Sequence, residues 1–419
     1  MVPVRDILLL QKRELEARLS EMYVEKEVKI KESGNLIRVV TGPRRAGKSF
    51  FAIHHLSKLG KFGYANFDDE KLVEVEDYDE IIGAINSLYG KPKRILFDEI
   101  QNLKNWELFA NRLQRQGYNL VITGSNSNLL GRELATHLTG RHALTQIFPF
   151  SFREFIKLDG TELTEAETRE KLVHYLTCGG YPEPLVKRLD HREYLSTLLG
   201  SVIYKDIVKR FRIRSSQAVE DLALYLISNA AKEFSYNTLS RVTGCRSVHT
   251  VEKYLRYLEE TFLLFRLGRF PFKVKEQIAS GKKIYCIDNG FFNSSASSFS
   301  HDIGRLYENA VAIELKRLEA EGAKIYYWKN EQQEEVDFVV KRGVKVAQLI
   351  QVCCKPEGGT EKREIRALLK ASKDTGCRNL LVITEKAEKT AQMEWFGIRR
   401  KVRFIPLWKW LLERIKQRA

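Results

Sequence analysis

Gly42-Pro43-Arg44-Arg45-Ala46-Gly47-Lys48-Ser49 fits the pattern G-x-x-x-x-G-K-[ST] at every fixed position. Ahead of it, Ile37-Arg38-Val39-Val40-Thr41 is apolar and β-branched like a buried strand, and residues 50–59 behind it read as a helix. A glycine-rich turn between such elements frees backbone N–H groups, which join the helix N-terminus in a concave anion site. The eight residues are therefore the candidate phosphate-binding loop, in which Lys48 adds a point charge and Ser49 a hydroxyl ligand for Mg²⁺. A chance lysine after a glycine-rich turn is the plainer alternative, and the strand and helix on either side argue against it.

Strands and helices continue to alternate downstream. Residues 62–67 read as a second strand and residues 78–89 as a helix. Arg94-Ile95-Leu96-Phe97-Asp98-Glu99 is an apolar strand ending in two carboxylates, the layout of a Walker B motif. There the first acid, Asp98, holds hydrated Mg²⁺ and the second, Glu99, orients the attacking water. The strand at residues 119–126 ends in polar side chains, so Ser125 or Asn126 is a candidate sensor of the γ-phosphate. Together these residues call for ATP and Mg²⁺.

Composition bounds the rest. A chain of 419 residues accommodates two to four domains, each able to bury its own core. The hydrophobic fraction of 43% is ordinary, and the absence of long apolar runs argues against a membrane span. No secretory signal is evident. Seventy Lys and Arg against 54 Asp and Glu leave a formal charge of +16, which favours DNA or another polyanion as partner over a merely solvated basic surface. The cysteines at 178, 245, 286, 353, 354 and 377 include no C-x-x-C pair, so neither a zinc site nor a disulfide framework is indicated. A reducing cytoplasm fits that usage. Residues 1–33 read as one amphipathic helix, with Val4, Leu8, Leu15, Leu19 and Met22 on the packed stripe.

The order phosphate loop, Asp98-Glu99, Thr123-Gly124-Ser125, Gly140-Arg141, Phe150-Ser151-Phe152 and Gly179-Gly180-Tyr181-Pro182 resembles a prokaryotic, largely archaeal, family of AAA-type ATPases. Its members carry a C-terminal restriction-endonuclease-like domain. The resemblance covers nearly the whole chain. It implies a five-stranded parallel sheet over residues 34–150, with the Walker B strand separated from the phosphate-loop strand by the sensor strand, and a helical lid over residues 151–195. Arg141, just before an expected last strand at 143–148, occupies the place of a finger arginine acting on a neighbouring subunit in a ring or dimer. A local ion pair is the alternative for it.

Residues 196–287 read as a winged helix, with helices at 219–230, 237–242 and 248–262 and a strand pair at 263–270 and 283–287. In the last helix Val251, Leu255, Leu258 and Phe262 face inward and leave His249, Lys253 and Arg256 outside, a face suited to a DNA groove. Winged helices also dock proteins, so a nucleotide switch bound to a protein partner is the rival reading. Residues 288–419 resemble the PD-(D/E)XK nuclease core, with Glu308 on its first helix and Asp337 on its second strand. Gln351 stands where that core has an acid and Cys353 where it has a lysine, so cleavage is expected to be weak or absent. Lys355, next to Pro356, is poorly placed to substitute. The tail from 395 to 418 mixes Arg399, Arg400, Lys401, Arg403, Lys409 and Arg414 with Phe404, Trp408 and Trp410, compatible with nucleic-acid contact or with a packed terminal helix.

Overall fold

The structure is a computed structural model that describes residues 3–31, 34, 36–125, 142–271, 281–295, 302–354 and 358–413. The chain folds into two compact units, residues 1–150, 181–188 and 260–262 in the first and residues 151–180, 189–259 and 263–419 in the second.

The first unit is built on five strands, β1 (Ile37–Thr41), β2 (Gly63–Asn66), β3 (Arg94–Asp98), β4 (Asn119–Gly124) and β5 (His142–Gln146). They pair in parallel in the order β2-β3-β4-β1-β5. Both faces are covered, which is why the strands read as near-continuous apolar runs: Ile37, Val39, Ala65, Phe97 and Ile122 are fully buried. The Walker B strand β3 is parted from the loop-bearing strand β1 by β4, the expected order. Of the helices, Tyr78–Tyr89 keeps its expected bounds, with the Asp77 carboxylate accepting the Asp79 N–H at its start.

The N-terminal segment departs from the expected single helix. The helix runs from Val4 to Leu19 and buries Ile7, Leu8, Gln11 and Leu15, while Leu19 and Met22 are 36% and 57% exposed. Beyond it the period changes from helical to two: Val24, Lys26 and Ile30 are buried, and Glu25, Glu27 and Lys29 are exposed. A buried lysine hides that alternation from a hydropathy reading. The Lys26 ammonium donates to the Phe148 carbonyl at 2.8 Å and lies 4.3 Å from the centre of the Phe150 ring, so its charge and its stem are both satisfied inside the protein.

The second unit holds two sheets. β6 (Glu233–Phe234), β7 (Leu264–Gly268) and β8 (Lys282–Cys286) form an antiparallel sheet in the order β6-β8-β7, beside helices Ser216–Ser228, Tyr236–Val242 and Val248–Glu260. β9 (Ala323–Lys329), β10 (Glu335–Arg342), β11 (Lys345–Val352), β12 (Leu380–Thr384), β13 (Lys389–Trp395) and β14 (Ile398–Pro406) form a mixed sheet in the order β13-β14-β12-β11-β10-β9. Helices Ile303–Glu319 and Gly358–Thr375 pack on it. The basic stretch from residue 395 is thus mainly the hairpin strand β14 and the helix Leu407–Leu412, in which Phe404 and Trp410 are buried. Three of its cations are tied locally, Arg399 to Glu394 at 2.8 Å, Arg403 to Glu413 at 2.5 Å and Lys409 to Glu388. Arg414 lies outside the described residues.

A turn in this unit admits only glycine. Gly179 follows helix Glu165–Cys178 with φ +79°, and a Cβ there would sit 1.8 Å from Asp288 Oδ1. The Asp288 carboxylate accepts the N–H groups of Gly180 at 2.7 Å and Gly290 at 2.9 Å. Burial pushes that carboxyl up to about 7 against the pull of those two donors.

Candidate nucleotide site

The phosphate loop lies at the C-terminal end of β1, where a parallel sheet opens its crevice. Gly42 has φ +150°, and a Cβ on it would come within 2.2 Å of the Ile147 carbonyl oxygen, so the chain passes the end of β5 only as glycine. Helix Lys48–Lys58 begins at the loop's end, so the positive end of its dipole faces the same place. Lys48, 4% exposed, donates to the Pro43 carbonyl at 3.0 Å and stands 3.8 Å from Glu99 Oε1. Arg45, in the left-handed region at φ 64°, reaches Glu183 at 3.2 Å.

The two acids after β3 are held differently. Asp98 is buried and accepts hydrogen bonds from Ser49 Oγ at 2.8 Å, Tyr64 Oη at 3.3 Å and Thr123 Oγ1. Burial and then the neighbouring Glu99 raise its carboxyl above the usual range, although the Thr123 and Ser49 hydroxyls oppose this. Glu99 has φ 49°, a left-handed conformation uncommon outside glycine. Its N–H donates to Thr123 Oγ1 at 3.0 Å, and its carboxylate accepts from Ser125 Oγ at 3.1 Å and from the Gln101 amide. Burial works against that charge, but Lys48 outweighs it, with help from Gln101, Arg44 and Ser125, and Glu99 is held below the usual carboxylate range. One acid is thus tuned up and its neighbour down.

The cleft has a volume of about 550 Å³, inside the range of small-ligand sites. Lys48, Ser49, Asp98 and Glu99 line one part, while Tyr23, Val24, Phe50, Phe150 and Pro182 supply apolar surface. Polar groups for phosphates and apolar walls for a base are what a nucleotide demands. Ser49 and Asp98 form a pair of hard oxygen donors in the place that Mg²⁺ requires, so the residues present fit that cation.

Of the residues singled out in sequence, the loop residues, Asp98, Glu99 and Ser125 come together here, and Asn126 and Arg141 lie outside the described residues. Ser125 donates to Glu99, so it positions that carboxylate. Thr123, which belongs to the Thr123-Gly124-Ser125 motif but had no role of its own in the sequence, bonds through its hydroxyl both to Asp98 and to the Glu99 N–H. Tyr64, not singled out in the sequence, holds the other Asp98 oxygen and accepts from Arg18 at 3.2 Å. The signal for Thr123 was its place at the end of the strand beside β3.

In the second unit His249, Lys253 and Arg256 are all exposed on helix Val248–Glu260, and Val251, Leu255 and Leu258 are buried. Glu308 and Asp337 come together around a residue that the sequence did not single out. The Lys283 ammonium, 4% exposed, lies 2.9 Å from Glu308, 2.5 Å from Glu335 and 3.5 Å from Asp337. Burial would lower Lys283, but Tyr285 and the three carboxylates raise it well above its ordinary value. Gln351 turns its carbonyl oxygen to the Asp337 N–H at 3.3 Å and its amide to Glu364. Cys353 is buried.

The fold and this cleft define a phosphate-loop protein of the AAA type. The family model for an AAA domain matches residues 34–156, and two domains of unknown function, DUF8612 and DUF4143, match residues 169–302 and 303–410. An uncharacterized protein of Methanocaldococcus jannaschii is 34% identical over 420 residues, 95% of this chain and 93% of its own length. One of Haemophilus influenzae is 27% identical over 343 residues, covering 78% of this chain and 84% of its own. The chain belongs to the family of AAA-domain proteins that includes the M. jannaschii protein. Among solved structures, the Walker-type ATPase of Pyrococcus abyssi matches with a TM-score of 0.42 and 15% identity, over 68% of this chain and 94% of that one. Among the described residues no helix is long and apolar enough to cross a membrane.

Proposed function

We propose that the chain is a Mg²⁺-dependent ATPase that couples ATP binding and hydrolysis to action on duplex DNA. The observation that carries the reading is the network in which Ser49 and Thr123 bond to Asp98 while Thr123 and Ser125 bond to Glu99. The loop N–H groups and Lys48 bind the phosphates. Ser49 and Asp98 would hold Mg²⁺, which when bound neutralises charge on the phosphate oxygens. Glu99, kept ionised by its surroundings, orients the water that attacks the γ-phosphate. Residues 196–287 act in this reading as a winged helix, presenting His249, Lys253 and Arg256 to the DNA.

The net charge of +16 and the exposed cations of helix Val248–Glu260 support a DNA partner over a protein one. Binding that displaces counterions from roughly four phosphates gives a log-log salt slope of about −3.6. Reversing the charge of Lys253 and Arg256 together should flatten that slope, measured by fluorescence anisotropy of a labelled duplex. An unchanged slope moves the binding surface off this helix.

Residues 288–419 serve as a nuclease-like fold without cleavage. Lys283 sits among the carboxylates that would otherwise take a cation, and Gln351 faces backbone and Glu364. Wild type and Asp337→Ala should leave duplex, branched and single-stranded DNA equally intact in Mg²⁺ and in Mn²⁺. Metal-dependent cutting that disappears in Asp337→Ala overturns this part.

A further inference from the structure

We infer that His174, Cys178 and His191 form a binding site for one borderline-soft transition-metal ion of the Zn²⁺ class. One ligand atom from each residue lies within 4.8 Å of the other two. His174 and Cys178 are four residues apart on helix Glu165–Cys178, hence on one face of it. A capping box between Thr164 and Glu167 fixes the start of that helix. His191 is the first residue of helix His191–Ser201, fixed by the Asp190 carboxylate accepting the Glu193 N–H at 2.7 Å. Two rigid helices therefore deliver the three donors, and the imidazole rings meet at 90° with centroids 5.9 Å apart.

Independent of that convergence, His191 Nδ1 is buried with no hydrogen-bond partner among the described residues. A buried nitrogen left unpaired is costly, and a metal or an ordered partner removes that cost. Two imidazole nitrogens and a sulfur select Zn²⁺ or Co²⁺ over Mg²⁺ or Ca²⁺. Three protein ligands leave a fourth position, and His174 is exposed, so water completes the shell. The absence of any C-x-x-C pair hides such a site from cysteine spacing, because two of its ligands are histidines and one of these, His191, lies on another helix. Cys178 and His191 bracket residues 179–190, so a shared ion closes that stretch into a loop. The stretch carries helix Pro182–Lys187, whose Pro182, Glu183, Val186 and Lys187 line the nucleotide cleft.

The test is a Co²⁺ titration of the full chain after treatment with a chelator, followed by thiolate-to-metal absorption in the near ultraviolet and ligand-field absorption in the visible. One Co²⁺ per chain should bind with both signals, and Zn²⁺ should displace it. Cys178→Ser should lose the thiolate band, which separates this site from the other five thiols. Because His174 is exposed, His174→Gln keeps the fold, and it should weaken Co²⁺ by more than the ~100-fold upper end for losing an outer-shell partner. No thiolate band in the wild type, a band that persists in Cys178→Ser, or an unchanged titration in His174→Gln overturns the site.

Discussion

Glu99→Gln should bind ATP as tightly as the wild type and lose about 100-fold or more in turnover, whereas Lys48→Ala should lose binding as well. The two side chains meet the nucleotide at different stages. The Lys48 ammonium contacts phosphates in the bound ground state, and removing one charge-assisted contact costs about 1.5–3 kcal/mol, roughly 10- to 100-fold in affinity. The Glu99 carboxylate contributes only when water is aligned for attack, so its loss falls on turnover alone. Gln at 99 still accepts from Ser125 and Gln101 through its carbonyl oxygen, so the loop at φ 49° keeps its shape. Nucleotide affinity by fluorescence and phosphate release under saturating ATP separate the two effects. Wild-type turnover by Glu99→Gln would remove it from the water-orienting role.

Gly179→Ala should destabilise the second unit by roughly 3–5 kcal/mol, the sum of a strained backbone and a displaced buried carboxylate. The added methyl lands 1.8 Å from Asp288 Oδ1, at a φ of +79° that alanine rarely adopts. Asp288 must then move, and the Gly180 and Gly290 N–H groups lose their acceptor. Tryptophan fluorescence in urea reads mainly this unit, because Trp328, Trp395, Trp408 and Trp410 belong to it and Trp106 alone to the first. Adding Asp288→Ala should recover part of the loss, since the clash partner is gone. A Gly179→Ala midpoint equal to the wild type's would refute the steric argument.

The nucleotide site was largely legible because its residues are consecutive: the loop is one octapeptide, and Asp98 and Glu99 end one apolar strand. The parallel order of the sheet was implied by the family resemblance, while β1, β3 and β4 read as apolar runs because both their faces are covered. What stayed hidden depends on contacts between distant stretches. Thr123 and Tyr64 reach Asp98, and Arg18 reaches Tyr64, only once β2, β3 and β4 are side by side and the N-terminal helix packs on β2. Lys283 enters the carboxylate cluster from β8, on a different sheet from Asp337. The hairpin β13–β14 was obscured by composition, because the exposed alternate positions of β14, Arg399, Lys401 and Arg403, are all basic and the run looks like a basic tail. Residues 24–30 were misread for a related reason, a lysine occupying a buried position in a two-residue period.

In the proposed function, hydrolysis at the Asp98 and Glu99 site responds to DNA. It is tested most directly by the steady-state rate of phosphate release from ATP, with Mg²⁺, by the purified full chain with and without duplex. Release should be faster with duplex, and that stimulation should vanish when His249, Lys253 and Arg256 are replaced together by alanine. A rate unchanged by duplex across the concentrations that saturate binding would contradict it and favour a nucleotide switch directed at a protein.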